Sequence, residues 1–305
     1  MENQNENLSP VEKAAGMSPE EQKNLEIAKA KSDRNRIAQA LKEGTLCCLP
    51  DESGYADTNA ARNLVTGTKY RGASMLLLKQ FAKENNYPTA EYVSFESLSL
   101  MNEKLNLSGN DRISLPKGSK GFTITYSKET ENPETGEKTF APEHIRLFNV
   151  ACLRNAEKAR EFEVIQKHER QEFVKAQLAS QGINFAPRPS EKSTEEIVCS
   201  SAKPEEYLGQ YFAAVSLGAK FKATKEQAEK FAKNAVDFLY EKSKENHINP
   251  FNLSILSRNA NAYCKNFLKS ARQEQNVSTE KAAQNQKTAK PKSQKKEFDS
   301  YEMGM

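Results

Sequence analysis

Arg62–Gly72, RNLVTGTKYRG, combines two glycines and three basic residues with an Asn and a Tyr, and holds no acid, histidine or cysteine. Such a stretch makes either a phosphate cradle or a turn into a helix. Glycine serves both, because it lets backbone N–H groups approach an anion and also adopts positive φ at no steric cost. The text on either side sets the fold.

Downstream, Ala73–Lys83 and Phe95–Leu105 read as two helices, while Gly121–Tyr126 and Ile145–Val150 are β-branched and aromatic strand text. Between the strands, KETENPETGEKT (128–139) predicts a polar hairpin loop, with Asn132-Pro133 and Thr135-Gly136 as turn signals. Upstream, residues 19–45 predict a helix with Ser18 as N-cap, Glu21 completing a capping box and Gly44 as the stop. The sum is an α+β amino-terminal domain over 19–154, a small antiparallel sheet with helices on one face.

After Asn155 the strand pattern stops. A charged connecting helix is expected over 155–185, apolar at Phe162, Ile165, Phe173 and Leu178, followed by a Pro- and Ser-containing linker over 186–202. Residues 203–272 predict an all-α carboxyl-terminal domain, with helices at 204–217, 225–246 and 250–272. Its core is expected from Tyr211, Phe212, Val215, Phe231, Val236, Phe238, Leu239, Ile255, Leu256, Tyr263, Phe267 and Leu268. Residues 1–18 and the Lys-rich tail 273–305 read as disordered.

Composition excludes several classes. Of 305 residues 28% are charged and 37% hydrophobic, with mean hydropathy −0.80, which disfavours one large core and points to compact parts with polar tails. No apolar run approaches membrane-spanning length, and the acidic, polar amino end is not a signal peptide. The five cysteines are scattered apart from the Cys47-Cys48 pair, as expected for reduced thiols in a bacterial cytoplasm. His144, His168 and His247 lie far apart, and a second histidine one turn after His168 would fall at Glu172. No zinc site, nucleotide-binding P-loop or Ser-His-acid set is apparent, so the expectation is a non-enzyme with no cofactor and no metal.

Five segments then follow in order: NRIAQALKEGT (35–45), RNLVTGTKYRGASMLLL (62–78), EYVSFESLSLMNEKL (91–105), LPKGSKGFTITY (115–126) and RLFNV (146–150). This order resembles the amino-terminal single-stranded-DNA-binding domain of the ArdC antirestriction family, shared with TraC-type plasmid primases. The matching positions are Asn63, Thr66, Gly67, Tyr70, Arg71, Gly72, Phe95, Lys117, Gly118, Lys120, Gly121, Phe148 and Asn149. The chain departs from the family pattern at Tyr92, where a Trp is usual, at Ser74 for an Asn and at Ser119 for a Glu. The metalloprotease half that many ArdC-like chains carry, with its HExxH, has no counterpart in this sequence.

The resemblance implies a protein of a plasmid, phage or related element that binds single-stranded DNA in antirestriction or DNA protection. Single strands are held by basic side chains along phosphates and by aromatic rings under bases. Arg62, Lys69, Arg71 and Lys79 can supply one basic flank, with Lys117 and Lys120 from the Gly-rich turn. Tyr70, Tyr92, Phe95 and Tyr126 are the candidate platforms, although Tyr70 also suits a core position and Phe95 is read as core. Phe148 reads as buried, and Asn149 as a backbone-bonding residue. Nothing in the set reads a base edge, so little sequence preference is expected. The helical domain is expected to meet a protein partner or organise assembly. Two alternatives remain open at this point: an inhibitor that binds a host defence enzyme, and an accessory factor for plasmid or phage DNA replication or transfer.

Overall fold

The computed structural model describes residues 18–131, 136, 138–180, 196–242 and 247–288. Helix α1 (Pro19–Lys42) begins at Ser18, whose hydroxyl accepts the Glu21 N–H while the Glu21 carboxylate accepts the Ser18 N–H. This is the capping box expected from sequence. Only its second half is buried, through Ile37, Ala38, Ala40 and Leu41, and Gly44 ends the segment at φ +66. Strands β1 (Tyr55–Ala56) and β2 (Arg62–Asn63) precede helix α2 (Gly72–Glu84), strand β3 (Glu91–Ser94) and helix α3 (Phe95–Lys104). A long hairpin, β4 (Gly121–Glu131) with β5 (Lys138–Asn149), leads to helix α4 (Ala156–Ser180).

The α+β reading of this part holds, with two refinements. The four strands run in the order β2-β3-β5-β4, and β2 pairs with β3 in parallel because α2 forms the crossover between them. Helices cover both faces rather than one. Tyr92, Phe122, Ile124 and Leu147 join a core with α1 and α2, while Val93 and Phe148 meet Leu98, Met101 and Phe162 of α3 and α4 on the other side. The hairpin strands also continue past Tyr126, until Glu131 faces Lys138. Thr130 lies opposite Thr139 and Glu131 opposite Lys138 in the register, so strand takes up most of the described part of the expected loop. Its signals Asn132-Pro133 and Thr135 lie outside the described residues.

The carboxyl-terminal part holds β6 (Glu196–Val198), α5 (Pro204–Leu217), β7 (Lys220–Lys222), α6 (Lys225–Leu239) and α7 (Asn252–Thr288). It is helical as expected but adds two short strands, one of them inside the segment read as a linker. Strand β7 pairs with β1 on one side and β6 on the other. One hydrophobic core therefore runs from Ile37, Cys48 and Met75 to Tyr207, Phe221, Phe231 and Leu256. The Tyr207 ring stacks on Phe231 at 3.9 Å, and its hydroxyl donates to the Cys48 carbonyl at 3.0 Å. Of the residues expected in a separate helical core, Tyr211, Phe212, Val215, Phe231, Leu239 and Leu256 are buried in this shared one. Helix α7 continues to Thr288, so 273–288 is helix where a tail was expected, and residues 1–17 and 289–305 lie outside the described set. Among the described residues no helix is long and apolar enough to cross a membrane.

Candidate nucleic-acid interface

The RNLVTGTKYRG stretch folds as a small closed hairpin. Arg62 bridges to Lys69, the Asn63 N–H donates to the Thr68 carbonyl at 2.9 Å, and Gly67 turns the chain at φ +66. The Asn63 side chain accepts the Val65 and Thr66 N–H groups, both at 2.9 Å, and so is spent on its own turn. From α4, Arg170 donates to the Val65 and Thr66 carbonyls, bracing the turn from outside. Thr66, Lys69 and Arg71 are exposed, while Tyr70 is half-buried against the larger core.

Arg62 is not free for phosphate. Its guanidinium bonds Glu91 and Glu163, and Arg160 bonds the other oxygen of Glu91. Burial pushes the Glu91 carboxyl upward, yet the bonds from Arg160, Arg62 and Thr89, with the charge of Arg62, outweigh it and hold the pKa at about 2. A carboxyl lowered from 4.5 stabilises the fold above its unfolded pKa and loses that contribution as pH falls through the folded value. Screening at the partly exposed arginines limits the effect to about 2 kcal/mol. Urea denaturation from pH 5 to pH 2 should show wild type losing about this much more stability than Glu91→Gln, which is already less stable at pH 5.

Two expected contact residues are buried. Lys79 is 5% exposed and bonds the Asp57 and Asn59 carbonyls at 2.6 and 2.8 Å, so it cannot meet a phosphate. The Tyr92 ring is fully buried, with its hydroxyl donating to the Leu78 carbonyl at 2.7 Å, so it cannot be a stacking platform. The reason is strand alternation: Tyr92 lies on the face of β3 that meets α2.

Phe95 shows the opposite correction. Read as core, it is 67% exposed. Strand β3 turns directly into α3 there, with the Ser94 hydroxyl accepting the Ser97 N–H at 3.2 Å, and the first helical residue faces outward. Its ring meets Phe148 edge-on at 6.4 Å, and the Arg146 guanidinium lies 5.7 Å from the Phe148 centroid. Gly121, opposite Phe148 in the register, leaves room for this arrangement. A Cβ there would come within 2.7 Å of both Arg146 Nε and Phe148 Cε1. Phe148 is buried beneath, and Asn149 bonds the Thr89 carbonyl and Ala151 N–H, as expected.

Lys120 precedes Gly121, and Lys117 sits on the preceding turn, where Gly118 has φ +86 and open space around its Cα. Both lysines are exposed and make no ion pair with a described residue. The structure thus places Phe95 after β3, Phe148 and Arg146 on β5, and Lys120 beside the start of β4, with Lys117 on the turn before it. Arg62, Lys69 and Arg71 lie on or just after β2, at the edge of the sheet opposite β4. Tyr126, 40% exposed, shares the opposite face of β4 with Phe122 and Ile124, so it does not extend the Phe95 platform. Sequence reasoning missed Arg146. Its signal was available, since a residue two positions before Phe148 on a strand shares its face.

This sheet, with its exposed ring and its Gly-rich turn, corresponds to a known domain. Residues 30–171 match the family described as the N-terminal domain of anti-restriction factor ArdC. The match begins inside α1, ends inside α4 and contains the whole β2-β3-β5-β4 sheet. Two crystal structures of the antirestriction ArdC protein from the R388 plasmid are also similar to the chain. The metal-free one matches at 14% identity and TM-score 0.41, over 77% of this chain and 95% of that one. The Mn(II)-bound one matches at 13% identity and TM-score 0.43, with the same coverage. No curated protein matches the chain. Among the described residues no cluster of His, Cys, Asp and Glu has the arrangement of a metal site.

Proposed function

We propose that the chain is a non-enzymatic antirestriction protein of a mobile element, whose ArdC-type domain holds single-stranded DNA without reading its sequence. The observation that carries this reading is the exposed Phe95 ring, edge-on to Phe148, which also neighbours Arg146, together with the exposed Lys117 and Lys120, which make no ion pair with a described residue. A ring that is open on one side offers a base a stacking surface, and the three cations flank the path a phosphate backbone would take. The match of residues 30–171 to a family named for anti-restriction supports the purpose.

Fluorescence anisotropy of a labelled oligo-dT against the full chain tests the binding step. Phe95→Ala should weaken binding by about 1–3 kcal/mol, or roughly 5- to 150-fold, without changing the salt slope. The pair Lys117→Ala and Lys120→Ala should instead lower the slope of log K against log salt by about 1.4, the yield of two lost phosphate contacts. Duplex of equal length should bind more weakly. Wild-type binding that ignores Phe95→Ala would remove the platform from the mechanism. Absence of binding even at low salt would turn the reading toward a protein-directed inhibitor.

A further inference from the structure

We propose that α6 is a self-complementary docking helix, and that two copies of this chain pair through it about a two-fold axis. The helix starts from a capping box of Thr224 and Gln227 and seats Ala228, Phe231, Ala235 and Leu239 against the rest of the protein. Its outer side borders a groove of about 1080 Å³, with Leu49, Pro50, Val198, Ala232 and Val236 among the apolar lining. Val198 is 60% exposed, so this apolar surface has no cover within the described chain.

Two ridges run along this side of α6. One is apolar, the half-buried Ala232 and Val236; the other is charged, Lys225, Glu229, Lys233 and Asp237. Each set steps by four along the helix, so each lies on one i±4 ridge. The small Ala232 lets a second backbone approach closely.

The order of charges selects the occupant. Along α6 the signs run plus, minus, plus, minus, and this order complements itself when reversed. Placed antiparallel, Lys225 faces Asp237 of the second copy and Glu229 faces its Lys233, and both contacts repeat by symmetry. The apolar ridge matches in the same placement, with Ala232 facing Ala232. Both pairings centre on the same turn of helix, which is what a two-fold interface requires of a single patch. Inside one chain only Lys225 and Glu229 of this row meet, at 4.0 Å with side chains 91% and 68% exposed, a contact of little strength. The row is therefore available to a partner, and the partner it fits is itself.

The proposal is independent of DNA binding and is tested by sedimentation velocity of the full chain, from low micromolar to its highest soluble concentration. Wild type should pass from monomer to dimer. Glu229→Lys and Lys233→Glu each set like charges against one another twice, and each alone should weaken self-association at least about ten-fold. Mixed in equal amounts, the two variants regain every opposite-charge contact and should form a heterodimer. The substituted positions are exposed, and far-UV circular dichroism checks that each variant is folded. A wild-type chain that stays monomeric throughout overturns the proposal, and leaves the groove to another protein. So does a dimer indifferent to both reversals, or a mixture that fails to pair.

Discussion

Lys79→Met is expected to remove about 1–3 kcal/mol of folding stability, a sizeable part of the 5–15 kcal/mol typical of a domain. The ammonium group is buried on α2, with Asp57 Oδ2 at 2.8 Å in addition to the two loop carbonyls. The Tyr211 hydroxyl of α5 lies 3.2 Å from it and itself donates to the Asp57 carbonyl at 2.7 Å. One side chain thus fastens the 57–59 loop to α2 and, through Tyr211, to the carboxyl-terminal helices. Methionine keeps most of the volume but leaves the Asn59 carbonyl without its donor and the Asp57 carboxylate without its cation. Unpaired polar groups are the costly part of breaking a buried ion pair. Urea denaturation measures the loss. The folded fraction should retain its oligo-dT affinity, and a selective fall in affinity at unchanged stability would return Lys79 to the binding surface.

Gly72→Ala is expected to cost about 2–4 kcal/mol, combining left-handed backbone strain with overlap in a tight contact. Gly72 opens α2 at φ +57, and an added Cβ would come within 2.4 Å of Ser257 Oγ and 2.7 Å of Asn261 Nδ2. Both neighbours belong to α7. The Ser257 hydroxyl accepts the Ala73 N–H at 2.8 Å, giving α2 the cap that its own N-cap residue, Arg71, does not supply. Displacing Ser257 therefore also releases a helix-terminal donor. Ser257→Ala, which loses the cap without the overlap, should cost about 1 kcal/mol. A thermal or urea comparison in which Gly72→Ala is no worse than Ser257→Ala would show that α7 yields at no cost. On this account the last glycine of RNLVTGTKYRG serves a helix contact and not a phosphate.

The two substitutions show how the opening stretch divides. Lys69, Arg71 and Thr66 remain on the surface, but Arg62 belongs to the Glu91, Glu163 and Arg160 ion-pair cluster. Asn63 and Gly67 make the turn itself. The stretch is chiefly a braced turn into a helix, and the open aromatic and basic surface lies across the sheet.

The sequence by itself determined the local elements. Capping boxes at Ser18 and Thr224, a glycine stop at Gly44, helical spacing in α2 and α3 and the β-branched text of β4 and β5 all act within a few residues. The ordered motifs were likewise sufficient to point to the domain that residues 30–171 match. Only the tertiary structure decided which cations stay in water and which rings stay open. Lys79, Arg62 and Tyr92 have the right chemistry for DNA, yet partners up to 132 residues away consume them. Phe95 has a core residue's chemistry but stands at a corner that no other described element covers. The union of the two halves was equally hidden, because pairing of β1 with β7 and the seat of α7 on Gly72 depend on backbone and small-residue contacts. Such contacts leave no periodicity in a sequence, whereas caps, turns and amphipathic spacing do.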